Sequence, residues 1–176
     1  MVFAHDTEAS LQAAVSLVNS AEPPDTLTTA AELECFWTRF SFTGLHNRDD
    51  AERAAVRGLR PRLRELLTSE RDEAVAIVND LLERTGVTPQ LVRHGDLDWH
   101  LHVVDPERPL SERITAETAM AMMDVIRADE MSRLGVCAQD DCQGIVLDLS
   151  RNRSKIFCGI SCSNRAAAAA YRARRR

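Results

Sequence analysis

The sequence of 176 residues predicts a mainly helical α+β chain: a helical N-terminal domain with one small β-hairpin, then a compact treble-clef-like module built on four cysteines. Three observations carry this expectation. Apolar residues recur at helical spacing through most of residues 1–132, residues 99–104 alternate as a strand does, and Cys137, Cys142, Cys158 and Cys162 fall within 26 residues of one another. The expected domains are 1–133 and 134–176.

Leu11, Val15 and Val18, with Ala14 beside them, predict a first helix ending near Asn19, before Glu22-Pro23-Pro24-Asp25 breaks it. Thr29 and Glu32 form a capping box ahead of Leu33, Phe36, Trp37 and Phe40, whose three aromatics are expected at the centre of the core. A third helix is predicted from near Arg48 with Ala51, Ala55, Leu59, Leu63 and Leu66 or Leu67 on one face; Pro61 should kink or break it. Ser69, with Asp72 as capping-box partner, is expected to start a fourth helix burying Ala74, Ile77, Val78, Leu81 and Leu82, and Gly86 to end it.

Trp99, Leu101 and Val103 alternate with His100, His102 and Val104, and Gln90-Leu91-Val92-Arg93 offers the hairpin partner before Gly95-Asp96. Ala116, Ala119, Met120, Met123, Ile126 and Met131 then describe a helix over residues 115–133 that leads into the cysteines. Residues 1–132 show no catalytic constellation, and no enzymatic role is expected. His100 and His102 share a strand face without further ligands, which reads as the exposed side of a hairpin. Cys35 is expected as a small buried thiol, and the methionines at 120, 122 and 123 as packing surface.

The formal charge of −5 hides a division. Residues 1–132 carry 13 arginines against 24 acidic residues, whereas residues 133–176 carry 9 basic against 3 acidic ones. An acidic body thus bears a basic, polyanion-facing end. The N-terminal MVFAHDTEAS has neither a basic n-region nor an apolar h-region, and no apolar run reaches the roughly 18 residues of a membrane span, so a cytoplasmic location and no membrane partner are expected.

In a reducing compartment, two close cysteine pairs read as a metal site before a disulfide framework. Cys137-Ala-Gln-Asp-Asp-Cys142 and Cys158-Gly-Ile-Ser-Cys162 each supply one edge of a tetrahedron, with Ile145-Val146-Leu147 and Ile156-Phe157 as the two strands between them. An iron–sulfur cluster usually spaces its ligands differently. Four thiolates leave no open coordination position, so the expected cofactor is one structural Zn2+ whose removal should unfold the module.

From residue 149 onward the chain has eight basic residues and no acid. Arginine forks grip phosphate oxygens and guanine edges, which makes Arg151, Arg153, Lys155, Arg165, Arg172 and Arg174 the candidate nucleic-acid contacts. Four zinc-bound thiolates add about −2, which leaves the module at about +4.

The run Asp148-Leu-Ser-Arg-Asn-Arg-Ser-Lys-Ile-Phe-Cys158, followed by Cys162-Ser163-Asn164-Arg165 and Tyr171-Arg172-Ala173-Arg174, closely resembles the CGNR zinc-finger family of bacterial proteins, with serine in place of the motif's glycine. The preceding region resembles the helical ABATE domain, to which stress-induced transcription regulation is ascribed; Leu17-Val18-Asn19-Ser20 is similar to its early Asn-Thr signature. The resemblance implies a metal-bound, DNA-binding regulator; the acidic helical body is then expected to sense an effector or to hold a homodimer together. An RNA-binding module and a finger that binds an acidic protein partner are the alternatives.

Overall fold

The apolar stripes of the first 127 residues fold around a common core, and the computed structural model describes residues 2–86, 88, 90–92, 100–102 and 104–175. Five helices come first: α1 (His5–Asn19), α2 (Ala30–Arg39), α3 (Asp50–Gly58), α4 (Arg60–Thr68) and α5 (Arg71–Thr85). The hairpin strands β1 (Gln90–Val92) and β2 (His100–His102) precede α6 (Leu110–Arg127) and a 3-10 turn (Met131–Arg133). Strands β3 (Leu134–Val136) and β4 (Ile145–Leu147) then lead to the terminal helix α7 (Ile160–Arg174).

Helix α6 is the centre of the body and packs against both α1 and α5. It buries Leu110, Ile114, Ala119, Met122 and Val125 against Leu11 and Leu17 of α1 and the inner face of α5. It begins five residues before the predicted start, directly after Pro109, and ends at Arg127 instead of running to residue 133. Asp129, at φ 57°, turns the chain out of the helix and into β3. Met122 is buried, whereas Met120 and Met123 are only half-buried.

Several local expectations hold. Thr29 and Glu32 cap α2 reciprocally, Gly86 closes α5 in the left-handed conformation, and the chain breaks at Leu59 so that Pro61 falls in the first turn of α4, where its missing N–H costs nothing. The hairpin pairs Gln90 with His102 and Val92 with His100. The expected strand positions Arg93, Trp99 and Val103 lie outside the described residues.

Others are corrected by long-range contacts. On α3 the inward residues are Glu52 and Val56, with Ala51 and Ala55 exposed, because the Glu52 carboxylate is drawn in by His46 Nδ1 at 2.7 Å and the Arg48 N–H at 2.9 Å. Ser69 does not cap α5: its hydroxyl donates back to the Leu66 carbonyl, and Glu70 occupies the N-cap position. Of the three aromatics on α2 only Phe36 is buried; Trp37 and Phe40 are half-buried, and Trp37 stacks on the His46 ring at 4.3 Å. Cys35 is exposed, not buried, since it points away from the Leu33–Phe36 side of the helix.

Polar clusters tie the helices together. Arg60, buried at the start of α4, grips Asp25 through both carboxylate oxygens and donates to the Ser20 hydroxyl; Arg57 adds a third bond to Asp25. These cations, Arg60 foremost, hold the Asp25 carboxyl down at about 2. Arg113 on α6 holds the Thr43 and Leu45 carbonyls and lies over the Trp37 ring.

The body also reaches β4. The Asn19 side chain, at the end of α1, donates to the Ile145 carbonyl at 2.8 Å and accepts from the Ile145 N–H at 2.6 Å. Ile145 and Leu147 thereby enter the same core as Leu11 and Leu17.

Two stability outcomes follow from this packing. Asn19→Ala strands the N–H and C=O of the fully buried Ile145 and should cost about 2–3 kcal/mol in urea unfolding, against less than about 1 kcal/mol for the exposed Gln12→Ala on the same helix. Burial pushes the Glu117 carboxyl up to about 7 against the opposing charge of Arg113. The folded state therefore holds a proton that the unfolded chain has lost, and stability should fall as pH rises from the ordinary glutamate range to about 7. Glu117→Gln should remove that fall and gain on the order of 2 kcal/mol at pH 8, read by unfolding at pH 5.5 and pH 8.

Candidate metal centre

The centre is assembled by a hairpin, a return loop and a helix start. β3 pairs with β4 in antiparallel register, Leu134 opposite Leu147 and Val136 opposite Ile145. This corrects the expected pairing of residues 145–147 with Ile156 and Phe157, which form no strand. Cys137 continues the ladder through its N–H to the Gly144 carbonyl at 2.8 Å, and Cys142 closes the intervening turn by donating to the Gln139 carbonyl. The first cysteine pair thus sits at the tip of a hairpin.

The return is shaped by Asp148, a buried carboxylate. Its Oδ1 accepts from the Ser150 N–H at 2.8 Å and its Oδ2 from the Lys155 N–H at 2.7 Å, so the loop between them is folded over one side chain. These hydrogen bonds keep its pKa below the usual carboxylate range. Arg133 fastens the same loop by donating to the Asp148 and Ser150 carbonyls. Cys158 then precedes Gly159, the N-cap of α7, and Cys162 lies in the first turn of that helix. Ile156, with no strand to occupy, is 55% exposed, and its carbonyl accepts from the Ala138 N–H.

The four sulfurs lie within 4.8 Å of one another. Cys142 and Cys158 are 3.6 Å apart, and Cys158 and Cys162 are 3.7 Å apart. Zinc thiolates at 2.3 Å on a tetrahedron have edges of about 3.8 Å, so the donor set fits a closed four-sulfur zinc site. The spacing is far beyond the roughly 2.05 Å of a disulfide, and all five cysteines are free.

Further donors point at the sulfurs. The Gly144 N–H faces Cys142 Sγ at 3.4 Å, the Cys158 N–H faces Cys137 Sγ at 3.4 Å, and Arg165 Nη2 lies 3.3 Å from Cys162 Sγ. Arg165 lowers the Cys162 pKa, whereas burial raises those of Cys142 and Cys158. N–H groups of this kind stabilise thiolates and orient them for a metal. Gly144 was not singled out by the sequence reading; a Cβ there would lie 2.9 Å from Cys158 Sγ, so only glycine lets the hairpin backbone come this close to the sulfurs.

The basic candidates divide into two groups. Arg153 forms an ion pair with Glu130 at 2.8 Å, Lys155 Nζ donates to the Leu147 carbonyl at 3.1 Å, and Arg165 bridges Asp141 and Cys162. Arg151, Arg172 and Arg174 are exposed, and their side chains make no hydrogen bond or ion pair among the described residues. Helix α7 buries only Cys162, and its last turn carries Arg172 and Arg174.

A helical body closed by a four-cysteine module of this form defines a zinc-finger protein with one structural Zn2+. The family model for the CGNR zinc finger matches residues 133–175, and the ABATE model, described as "Putative stress-induced transcription regulator", matches residues 11–129. The chain belongs to the ABATE family and carries a CGNR zinc finger. No curated protein matches it. Neither family description names an enzyme, and no helix among the described residues is long and apolar enough to cross a membrane.

Metal analysis of the purified protein should give one zinc per chain. Cys142→Ser should lose most of it, and Gly144→Ala should weaken retention at least tenfold in a chelator competition, because the added methyl meets Cys158.

Proposed function

We propose that Cys137, Cys142, Cys158 and Cys162 hold the zinc and that the module they fold binds DNA, making the chain a bacterial, cytoplasmic transcription regulator. The single observation that supports DNA as partner is the charge distribution: residues from 149 onward, the return loop and the terminal helix that buries only Cys162, carry eight basic groups and no acid. Guanidinium groups without acidic partners are available to phosphate oxygens.

Arg151, Arg172 and Arg174 are the principal contacts in this reading. Arg153, Lys155 and Arg165 already hold the return loop and the sulfur site, and they add to the field around it. In this role the metal is scaffold: a closed four-thiolate shell has no position for substrate or water. The acidic body then keeps the rest of the protein off the polyanion and carries any signal input.

Duplex binding followed by fluorescence anisotropy tests the reading. The slope of log affinity against log salt should be about −3 if the three unpaired arginines neutralise phosphates, rising to about −5 if all six candidates do. Arg172→Gln should reduce the slope by about one. Salt-independent binding, or none by the zinc-loaded chain, would overturn DNA as the partner.

A further inference from the structure

A cleft of about 1050 Å3 separates the α1–α2 side of the body from the return loop of the zinc module. It is of the size that small ligands occupy. Leu27, Phe36, Phe40 and Leu149 supply apolar wall. Two carboxylates in its lining are fixed by neutral donors: Glu32 accepts through Oε2 from Thr28 and Thr29 in the α2 cap, and Asp148 accepts from the Ser150 and Lys155 N–H groups. Neither lining cation forms an ion pair among the described residues: Arg39 lies over the Phe40 ring, and Lys155 spends one N–H on the Leu147 carbonyl. His5 and the exposed Cys35 complete the rim.

We infer that this cleft binds a small organic anion with an apolar or aromatic body, its charge met by Arg39 and Lys155. A phosphodiester backbone would leave the apolar wall unused, whereas an aromatic or aliphatic acid engages wall and cations together. The consequence for regulation rests on the DNA reading above. Lys155 is tied through its N–H to Asp148, the side chain over which the loop carrying Arg151 and Arg153 is folded, so an anion on Lys155 acts on that loop. Its negative charge also opposes an approaching phosphate.

The test uses the full-length, zinc-loaded chain and two dyes of matched shape, anionic 8-anilino-1-naphthalenesulfonate and neutral N-phenyl-1-naphthylamine. One saturable site is expected for the anion, at least tenfold tighter than for the neutral dye. Arg39→Gln and Lys155→Gln should each weaken it at least tenfold, while Arg172→Gln should leave it unchanged. Equal binding of both dyes, or an anion affinity indifferent to Arg39→Gln, would overturn the site. Saturating anion should lower duplex affinity at least threefold in the parent chain but not in Arg39→Gln. Anion binding by a chain that binds no duplex at all would leave the cleft site standing and overturn the DNA reading instead.

Discussion

The two hydrogen bonds between the Asn19 amide and the backbone of Ile145 join the helical body to the metal module, and the geometry of the second depends on them. A carboxamide carries one donor and one acceptor side by side, as a neighbouring strand residue does. Asn19 therefore stands in for a third strand at the edge of β4 that β3 leaves open. A two-stranded ribbon is marginal by itself, and β4 is stable here because one edge is paired with β3, the other is met by Asn19, and Ile145 and Leu147 are sunk in the body core. The contact also fixes where the sulfurs lie. Cys142 is three residues from Ile145, and Glu22 and Arg64 bind the backbone of Gln143 between them. Neither Asp nor Ala can replace the amide in this position, because each lacks the donor that the Ile145 carbonyl needs.

Charge is arranged on the same plan. The net value of −5 averages an acidic body and a basic end, but the boundary between them is stitched by specific pairs. Glu130 receives both Arg133 and Arg153, so the chain entering β3 and the loop leaving β4 share one carboxylate. Arg165 is held between Asp141 and the Cys162 sulfur, where it offsets negative charge that four thiolates concentrate. Arginines close to the metal thus serve the fold. Those beyond it, on the loop tip and the far end of α7, form no ion pair among the described residues.

What the sequence makes legible is what lies in one short stretch of chain. The Thr29–Glu32 capping box, the break before Pro61 and the left-handed Gly86 are set by residues within four positions of one another, and each is found where local chemistry places it. The four-cysteine spacing is legible for the same reason, since each pair closes a turn. Features that depend on distant partners are not. Helical periodicity puts Ala51 and Ala55 inside, yet Glu52 is the residue drawn inward, because His46 waits for it on a different element. Ile156 and Phe157 have strand composition, but the partner of β4 precedes the first cysteine instead of following it. Asn19 sits 126 residues from the backbone it binds, and the need for glycine at 144 arises only when Cys158 comes back against it. Cys35 shows the opposite failure: an apolar stripe beside a residue does not bury it when the neighbouring space is a cleft.

The burial pattern also changes what the metal must hold. From composition, a module of about forty residues with few large apolar side chains should owe most of its folding to zinc. Its two most apolar strand positions, however, are packed in the body core, and only Cys137, Cys142, Val146 and Cys162 form a buried cluster of their own, with Phe157 and Cys158 against it. The hairpin is therefore supported by the body whether or not the sulfurs are joined. Helix α7 is not: Cys162 is its sole buried residue, and its alanine run supplies helix propensity but no packing. The free energy of zinc coordination accordingly falls on the attachment of α7 to the hairpin. A metal whose chief effect is to fix the bearing of one exposed basic helix against a preformed platform is a structural metal in the strict sense, and it acts at the place where the unpaired arginines begin.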